Sequence, residues 1–269
     1  MELVICGGSF KGIIYLGILH YLIKVKHINY VNSFYGVSIG AFIGIMYFIG
    51  YKPIDIYNKL CNIDLNNYKE VDFDKFLSDY TLCSGKLWDL WYVLFSEYED
   101  PEITIKEFNL KYSTQINILA TCLTTRKLEI FNENNTPDVK VIDAIVASAT
   151  LPLIFPPKII NNKIYLDGGC KTYIPELQKY IKPDALIINL EPIPSIPIDS
   201  IYTYVSELAS VMFSNDEFSG YDNVIKVSIP ERFANMYDLF TITNDDKTEL
   251  FLHGIKIGEK FYKNKILVN

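Results

Sequence analysis

Short apolar runs that end in glycine alternate along the chain with longer stretches whose apolar residues recur at helical spacing. Leu3 to Cys6 is the first such run and reads as a buried strand. From Gly12 to about Val25, the positions Ile13, Leu16, Leu19 and Ile23 repeat with the period of a helix. Phe34 to Val37 predicts a second strand, followed by a helix from about Ser38 to Ile49. Pro53 suits the first turn of a third helix, through Leu60. Residues 62 to 114 are less patterned. Within them Gly85 precedes "KLWDLWYVLFSEY", a predicted helix broken by Pro101, and "TIKEFNLKY" predicts another with Thr104 as its N-cap. "QINILATCLTTRKLEIFN" reads as two strands around a Thr-Thr-Arg-Lys turn, and "NENNTPD" as loop. "VKVIDAIVASAT" predicts an amphipathic helix stopped by Pro152. "KIINNKIYLDGG" predicts a hairpin around Asn161-Asn162 that leads into a glycine turn. "DALIINLEP" and "NVIKVSI" read as strands. Helices are expected near Ser200 to Phe213 and Leu250 to Tyr262. Strands alternating with helices predict an α/β sheet with helices on both faces. No internal repeat and no Pro-, Gly- or Ser-rich linker divides the chain, so residues 1–269 are expected to form one domain.

Composition narrows the function classes. The 269 residues are 49% hydrophobic and 21% charged, as in a globular protein. A net charge of −7 with no basic block argues against a nucleic-acid partner, and it does not favour long-range attraction to anionic lipid. Five cysteines, an odd number with scattered spacing and no CxxC, argue against zinc and against a disulfide framework. They fit a reducing, cytoplasmic compartment. His20, His27 and His253 lack metal-ligand spacing, so no metal is expected. Glu2 stands where a basic region would begin a secretory signal, and Lys11 interrupts the apolar run, so the protein is not expected to be secreted. Ile28 to Tyr51 carries no charge and on length alone reads as a membrane span. Asn29, Asn32, Ser33, Ser38 and four glycines break its apolar character, and a buried strand-turn-helix explains the missing charge equally well. The abundance of Asn, Ile, Lys and Tyr fits an AT-biased genome.

Two glycine-rich turns carry the candidate chemistry. Gly7-Gly8-Ser9-Phe10-Lys11-Gly12 lies between a predicted strand and a predicted helix, where free N–H groups gather at a helix start. Such a turn suits a phosphate or the oxyanion of acyl transfer. Neither GxGxxG nor GxxxxGK[ST] is complete, and a tight turn that only packs helix on strand is the plainer reading. Gly36-Val37-Ser38-Ile39-Gly40 is a GxSxG between strand and helix, the setting of a nucleophile elbow; the plain alternative makes Ser38 an ordinary N-cap. Asp167 closes a strand before Gly168-Gly169, a turn that presents a carboxylate at the sheet edge, although Asp-Gly pairs also serve simply as turn formers. The order Ser38, Asp167, His253 matches the triad order of α/β-hydrolases, but in that fold the elbow follows several strands, and here it follows the second. His20 falls mid-helix and reads as a packed or surface histidine.

Together these residues resemble the patatin-like phospholipases. That family has a glycine-rich oxyanion loop of the form GGGx[RK]G, a GxSxG serine and an Asp-Gly-Gly or Asp-Gly-Ala aspartate. Gly7 to Gly12, Gly36 to Gly40 and Asp167 to Gly169 match these in order, and "ASATLPLIFPP" from Ala147 to Pro157 resembles the family's segment before the aspartate. The likeness runs over roughly residues 1 to 190. It implies a three-layer α/β/α sandwich with a mostly parallel central sheet and a nucleophile elbow. It also implies a Ser38–Asp167 dyad without histidine, an acyl-enzyme on Ser38, and an oxyanion held near the N–H groups of Gly8 and Ser9. The implied function is a serine acyl hydrolase of phospholipase A or lysophospholipase type. It would cut glycerolipid esters without a cofactor and touch membranes transiently at their surface. Lys11 matches the family's basic position. Ser9 departs from the pattern by standing where the third glycine is usual; if that position needs positive φ, serine is unfavourable there. Trp88 and Trp91, neighbours on one helix, suit a lid at a lipid interface or, more simply, a core-facing stripe. Two alternatives stand beside the hydrolase reading: a catalytically weak lipid-binding protein of the same fold, and an esterase using Ser38, Asp167 and His253.

Overall fold

Alternation of apolar side chains to the two faces of short strands builds the sheet of this protein, seen here in a computed structural model. The structure describes residues 1–68, 81, 83–171, 174–191, 198, 204, 207, 218, 220–234 and 242–268. Its strands are β1 (Glu2–Ile5), β2 (Ser33–Val37), β3 (Gln115–Cys122), β4 (Lys127–Phe131), β5 (Lys158–Ile160), β6 (Lys163–Leu166), β7 (Leu186–Leu190) and β8 (Val224–Val227). They form one sheet in the order β5-β6-β3-β2-β1-β7-β8, with β4 also paired to β3. The run β3-β2-β1-β7-β8 is parallel, and β4, β5 and β6 are antiparallel additions at one side. Leu3, Ile5 and Phe34 enter the larger core on one face, while Val4, Tyr35 and Val37 enter a smaller core on the other. The fold is thus α/β with a mostly parallel sheet.

The helices are α1 (Gly12–Lys24), α2 (Ile39–Phe48), α3 (Pro53–Asn62), α4 (Lys86–Ser96), α5 (Ile105–Tyr112), α6 (Val141–Ala149), α7 (Ile174–Leu177), α8 (Glu231–Ala234) and α9 (Asn244–Val268). Pro53 opens α3, where its missing N–H costs nothing. Thr104 caps α5 in a reciprocal exchange with Glu107. In the β5–β6 turn Asn161 and Asn162 take φ of 49° and 61°, which asparagine accepts more readily than most residues.

Two expectations change, and the strand-turn-helix expected in Ile28 to Tyr51 is found. The last helix is longer than the predicted Leu250 to Tyr262. Thr243 and Asp246 exchange N–H bonds at 2.9 and 3.2 Å and start it at Asn244. Helix α4 ends at Ser96, before the breaker Pro101. Ile28 to Tyr51 divides into β2 and α2 with their flanking turns. No single helix among the described residues is long and apolar enough to cross a membrane; α2 and α3 pass that test only as a pair bent by 119°. The helix expected near Ser200 to Phe213 lies outside the described residues, apart from Tyr204 and Glu207.

Helix α9 packs along α1 with almost no gap. A Cβ on Gly17 would sit 2.1 Å from the Phe251 carbonyl oxygen, and one on Gly254 would sit 2.0 Å from that of Ile14. Both obstacles are backbone, so no side chain can swing aside. Lys247, which is buried, adds a polar tie: its Nζ donates to the carbonyls of Leu60 (2.7 Å) and Ile63 (3.2 Å) and to Asn244 Oδ1 (3.2 Å). Gly17→Ala and Gly254→Ala should each force the helices apart and cost about 2–3 kcal/mol, as overpacked cores do. Urea unfolding of each variant measures this, and an unchanged midpoint would mean that the helices slide freely.

Candidate active site

One side of β3 is shared by two strands arriving from opposite directions. Val37, the last residue of β2, pairs with Leu119, and Leu166, the last of β6, pairs with Thr121. Because β4 pairs with both Leu119 and Thr121, it must occupy the other side of β3. The next residue of β2 is Ser38 and the next of β6 is Asp167, so the two meet beside Ala120. Ser38 Oγ donates to Asp167 Oδ2 at 2.6 Å, and Asp167 Oδ1 accepts the Gly169 N–H at 2.8 Å. Both side chains are buried.

The elbow is strained and tightly surrounded. Ser38 has φ 54° and ψ −129°, a conformation that costs a non-glycine residue about 1–3 kcal/mol. A Cβ on Gly36 would lie 2.5 Å from Ala41 Cα, and one on Gly40 would lie 2.3 Å from Ile5 O, so both positions are sterically closed to side chains. Ser38 is the N-cap residue of α2 but makes no side-chain cap bond; its hydroxyl goes to Asp167 instead. The Ser38 N–H donates to Ser148 Oγ at 2.8 Å, and Ser148 in turn donates to Leu119 O at 2.6 Å. Ser148, wholly buried on α6, therefore pins the elbow to β3. The Thr150 carbonyl accepts the Asp167 N–H at 2.7 Å and fixes the other partner. Gly168 packs onto β3, where a Cβ would meet Leu119 O at 2.2 Å.

The loop from Gly7 to Gly12 lies against this pair. A Cβ on Gly7 would stand 3.4 Å from Ser38 Cβ. Hydrogen bonding of the turn begins with Lys11 N–H on Gly8 O, so the N–H groups of Gly8, Ser9 and Phe10 precede it. Gly8 is extended, with φ 173°, and owes its small size to Tyr15, whose hydroxyl would be 2.9 Å from a Cβ there. That hydroxyl donates to Gly7 O at 2.6 Å and braces the loop. Ser9 does adopt positive φ, 51°, the conformation that disfavours serine. A Cβ on Gly12 would collide with Ile39 of α2, at 2.7 Å. Lys11 is buried with its Nζ 4.7 Å from the Phe10 ring centroid, and burial pulls its pKa down to about 8.

Burial raises the Asp167 pKa to about 6 against the pull of its bonds from Ser38 and Gly169. The histidines lie elsewhere. His20 and His27 sit against Phe251 and Phe261 of α9, and His253 Nε2 lies 3.0 Å from Ser228 O. No histidine stands between Asp167 and Ser38, which touch directly. Among the described residues no group of three or more His, Cys, Asp or Glu could hold a metal ion. Beside Ser38 opens a largely apolar cleft of about 880 Å³, its open mouth included, walled by residues such as Ile39, Phe42, Trp88, Trp91 and Phe155. Trp91 is buried and stacks on Phe42 with centroids 4.3 Å apart, while Trp88 is half-buried, so α4 serves as wall as well as core.

Ser148 and Tyr15 were missed by sequence reasoning as site residues. Ser148 carried a signal, a serine in the Ala-Ser-Ala-Thr block; Tyr15 carried none, since a tyrosine in an apolar helix reads as core.

The model of the patatin-like phospholipase family matches residues 3–178. The chain belongs to the patatin-like phospholipase family. It is 34% identical over 174 residues to a protein of Invertebrate iridescent virus 6 named "Probable lipid hydrolase 463L", a match covering 62% of this chain and 59% of that one. The chain thus spans about three fifths of that relative's length. An uncharacterized protein of Acanthamoeba polyphaga mimivirus is 26% identical over 95% of this chain and 91% of its own. Among solved structures, VipD from Legionella pneumophila superposes with a TM-score of 0.63 at 15% identity, over 98% of this chain and 66% of that one. ExoU, in its complex with SpcU from Pseudomonas aeruginosa, gives a TM-score of 0.57 at 17% identity, over 98% and 51%. These likenesses establish the patatin-like fold.

The raised pKa of Asp167 is also a statement about stability. The folded state binds this proton more tightly than the unfolded chain, so the stability it contributes is full below about pH 4 and is lost as pH rises through about 6. Above that the buried charge costs about 3 kcal/mol. Asp167→Asn, whose Oδ1 can still accept from Gly169 while its Nδ2 donates to Ser38 Oγ, should therefore raise Tm at pH 8 and lose that advantage near pH 4. Calorimetric scans at the two pH values test this, and a gain in Tm that is the same at both would contradict the assignment.

Proposed function

We propose that this patatin-like protein is a serine lipid acyl hydrolase of phospholipase A or lysophospholipase type, acting on glycerolipid esters at membrane surfaces. The observation that carries the reading is the 2.6 Å contact between Ser38 Oγ and Asp167 Oδ2 beside an apolar cleft. Family membership and the printed name of the iridescent-virus relative support the lipid as substrate. Asp167 takes the hydroxyl proton as Ser38 Oγ bonds to the ester carbonyl carbon. The carbonyl electron pair moves onto oxygen, which lies against the N–H groups of Gly8 and Ser9. Collapse of this intermediate breaks the carbon–alkoxy bond, and the alcohol leaves with the proton from Asp167. Water then attacks the acyl-enzyme, Asp167 takes its proton, and the fatty acid departs as Ser38 regains its hydrogen. A pKa of about 6 makes Asp167 a stronger base than an ordinary aspartate while leaving it ionised at neutral pH.

One observation favours a second reading, a catalytically weak lipid-binding protein. Ser9 is held at φ 51° in the loop that would receive the oxyanion. Removing its side chain separates the two. If the loop is already competent, Ser9→Gly leaves kcat little changed or slightly higher. A rise of orders of magnitude would mean that Ser9 has crippled the natural protein.

The dyad makes its own demands. Ser38→Ala should abolish hydrolysis of a p-nitrophenyl ester and labelling by a fluorophosphonate, and Asp167→Asn should lower kcat by orders of magnitude. His20→Ala, His27→Ala and His253→Ala should each keep most of the activity. The base must be ionised, so kcat/KM should rise with pH through about 6. A histidine base would titrate close by, so the variants decide. A folded His253→Ala as dead as Ser38→Ala would overturn the dyad in favour of a triad.

A further inference from the structure

The cleft beside Ser38 follows the seam between α2 and α4, and both helices lead away from the dyad. Helix α2 begins directly after Ser38. The first turn of α4 lies at the dyad end: the Trp88 ring centroid is 4.7 Å from that of Phe155. Phe155 is tied through its N–H to Leu151 O, just past Thr150, whose carbonyl holds Asp167. The last turn of α4 lies beyond the end of α2, where Leu94 O accepts from the Tyr51 hydroxyl at 2.9 Å. Along the seam the lining therefore runs from Ile39 and Trp88, past Phe42 and Trp91, to Ile43 and Leu94.

Phe42 and Trp91 meet across this seam. Their ring centroids are 4.3 Å apart and their planes 22° from parallel, so the two faces touch. By the rise of a helix, Phe42 stands about 6 Å along α2 from Ser38. Carbon atoms in contact stand about 3.5–4.0 Å apart, so a hydrocarbon threaded between two rings would need them about 7–8 Å apart. No acyl chain passes between these two. The pair is also braced, because Trp91 rests on Trp88 with centroids 4.9 Å apart and Phe42 is buried. Past the stack, α3 adds Ile56 and Leu60 to the apolar lining.

We propose that Phe42 and Trp91 are specificity-determining residues whose stack is the stop that sets how long an acyl chain the cleft accepts. The inference rests on the reading of this cleft as the lipid site. Each methylene buried before the stop tightens binding by about fourfold. A methylene that reaches the stack finds no room and adds nothing, so short acyl chains are favoured over long ones. The tight packing of the two rings is what makes them a barrier, and no ligand atom has to reach behind them.

The test reads chain length, which a merely structural role would not move. In the Ser38→Ala protein, where nothing is turned over, Kd is measured for alkylphosphocholines of stepwise increasing tail length, each below its micelle concentration. Affinity should tighten by about fourfold per methylene and then level off. Adding Phe42→Ala removes one ring of the stack. It should carry the rise past that plateau, so that longer tails gain about tenfold or more while the shortest change little. A wild-type series that climbs throughout without a plateau overturns the proposal. So does a plateau that the variant leaves in place, or equal weakening of every tail. If Phe42→Ala does not fold, Phe42→Leu breaks the stack while keeping apolar bulk: a smaller shift of the plateau toward longer tails supports the stop, and an unmoved plateau overturns it. The wild-type protein is assayed in parallel on p-nitrophenyl esters of the same tails. A plateau that moves in the binding series while no ester is hydrolysed would fail the catalytic reading and leave this one standing.

Discussion

The structure turns on the sharing of one side of β3 by two strands that run toward each other. A parallel strand, β2, ends at Val37, and an antiparallel strand, β6, ends at Leu166. Their following residues meet across the gap, and the hydrogen bond between Ser38 and Asp167 closes it. Neither strand alone would present a useful group. The backbone of β3 acts as a ruler that fixes the separation of nucleophile and base, and Ser148 and Gly168 both anchor to the same carbonyl region of that strand, at Leu119.

The arrangement spends stability to gain chemistry. A carboxylate is buried where its charge is disfavoured, and a serine is held in a backbone conformation that serine avoids. A second serine, Ser9, is held likewise at φ 51° in the neighbouring loop. The surroundings enforce these states. Glycines at positions 36, 40 and 168 let neighbouring backbone come closer than any side chain would permit, and the large apolar core around α1 and α2 supplies the cohesion that offsets the strain.

Much of this was legible in the sequence, for a local reason. Turns that need glycine or a small residue restrict which amino acids can stand there, so GxSxG, the Gly7–Gly12 run and Asp-Gly-Gly announce themselves as short words. The strands around them were equally readable from their apolar runs. What was hidden depends on contacts between distant segments. That β6 would dock beyond the end of β2 is a matter of register with β3, which no local pattern encodes. Gly17 and Gly254 carry no local signal, because their purpose lies in the backbone of the opposite helix. The start of α9 was under-read because Asn244 to Glu249 is polar and charged, and the Thr243–Asp246 cap, not an apolar rhythm, begins the helix there.

The close seating of α9 on α1 bears on how the protein comes into being. The loop proposed to receive the oxyanion sits at the head of α1, and the helix that covers α1 follows far later in the chain. Until it emerges, Gly17 and the carbonyl of Ile14 face solvent or a chaperone instead of Gly254. A chain not yet extended to α9 would therefore carry its glycine loop on a helix whose outer face is bare. The fold around α1 is thus complete only when two segments far apart in the chain have met.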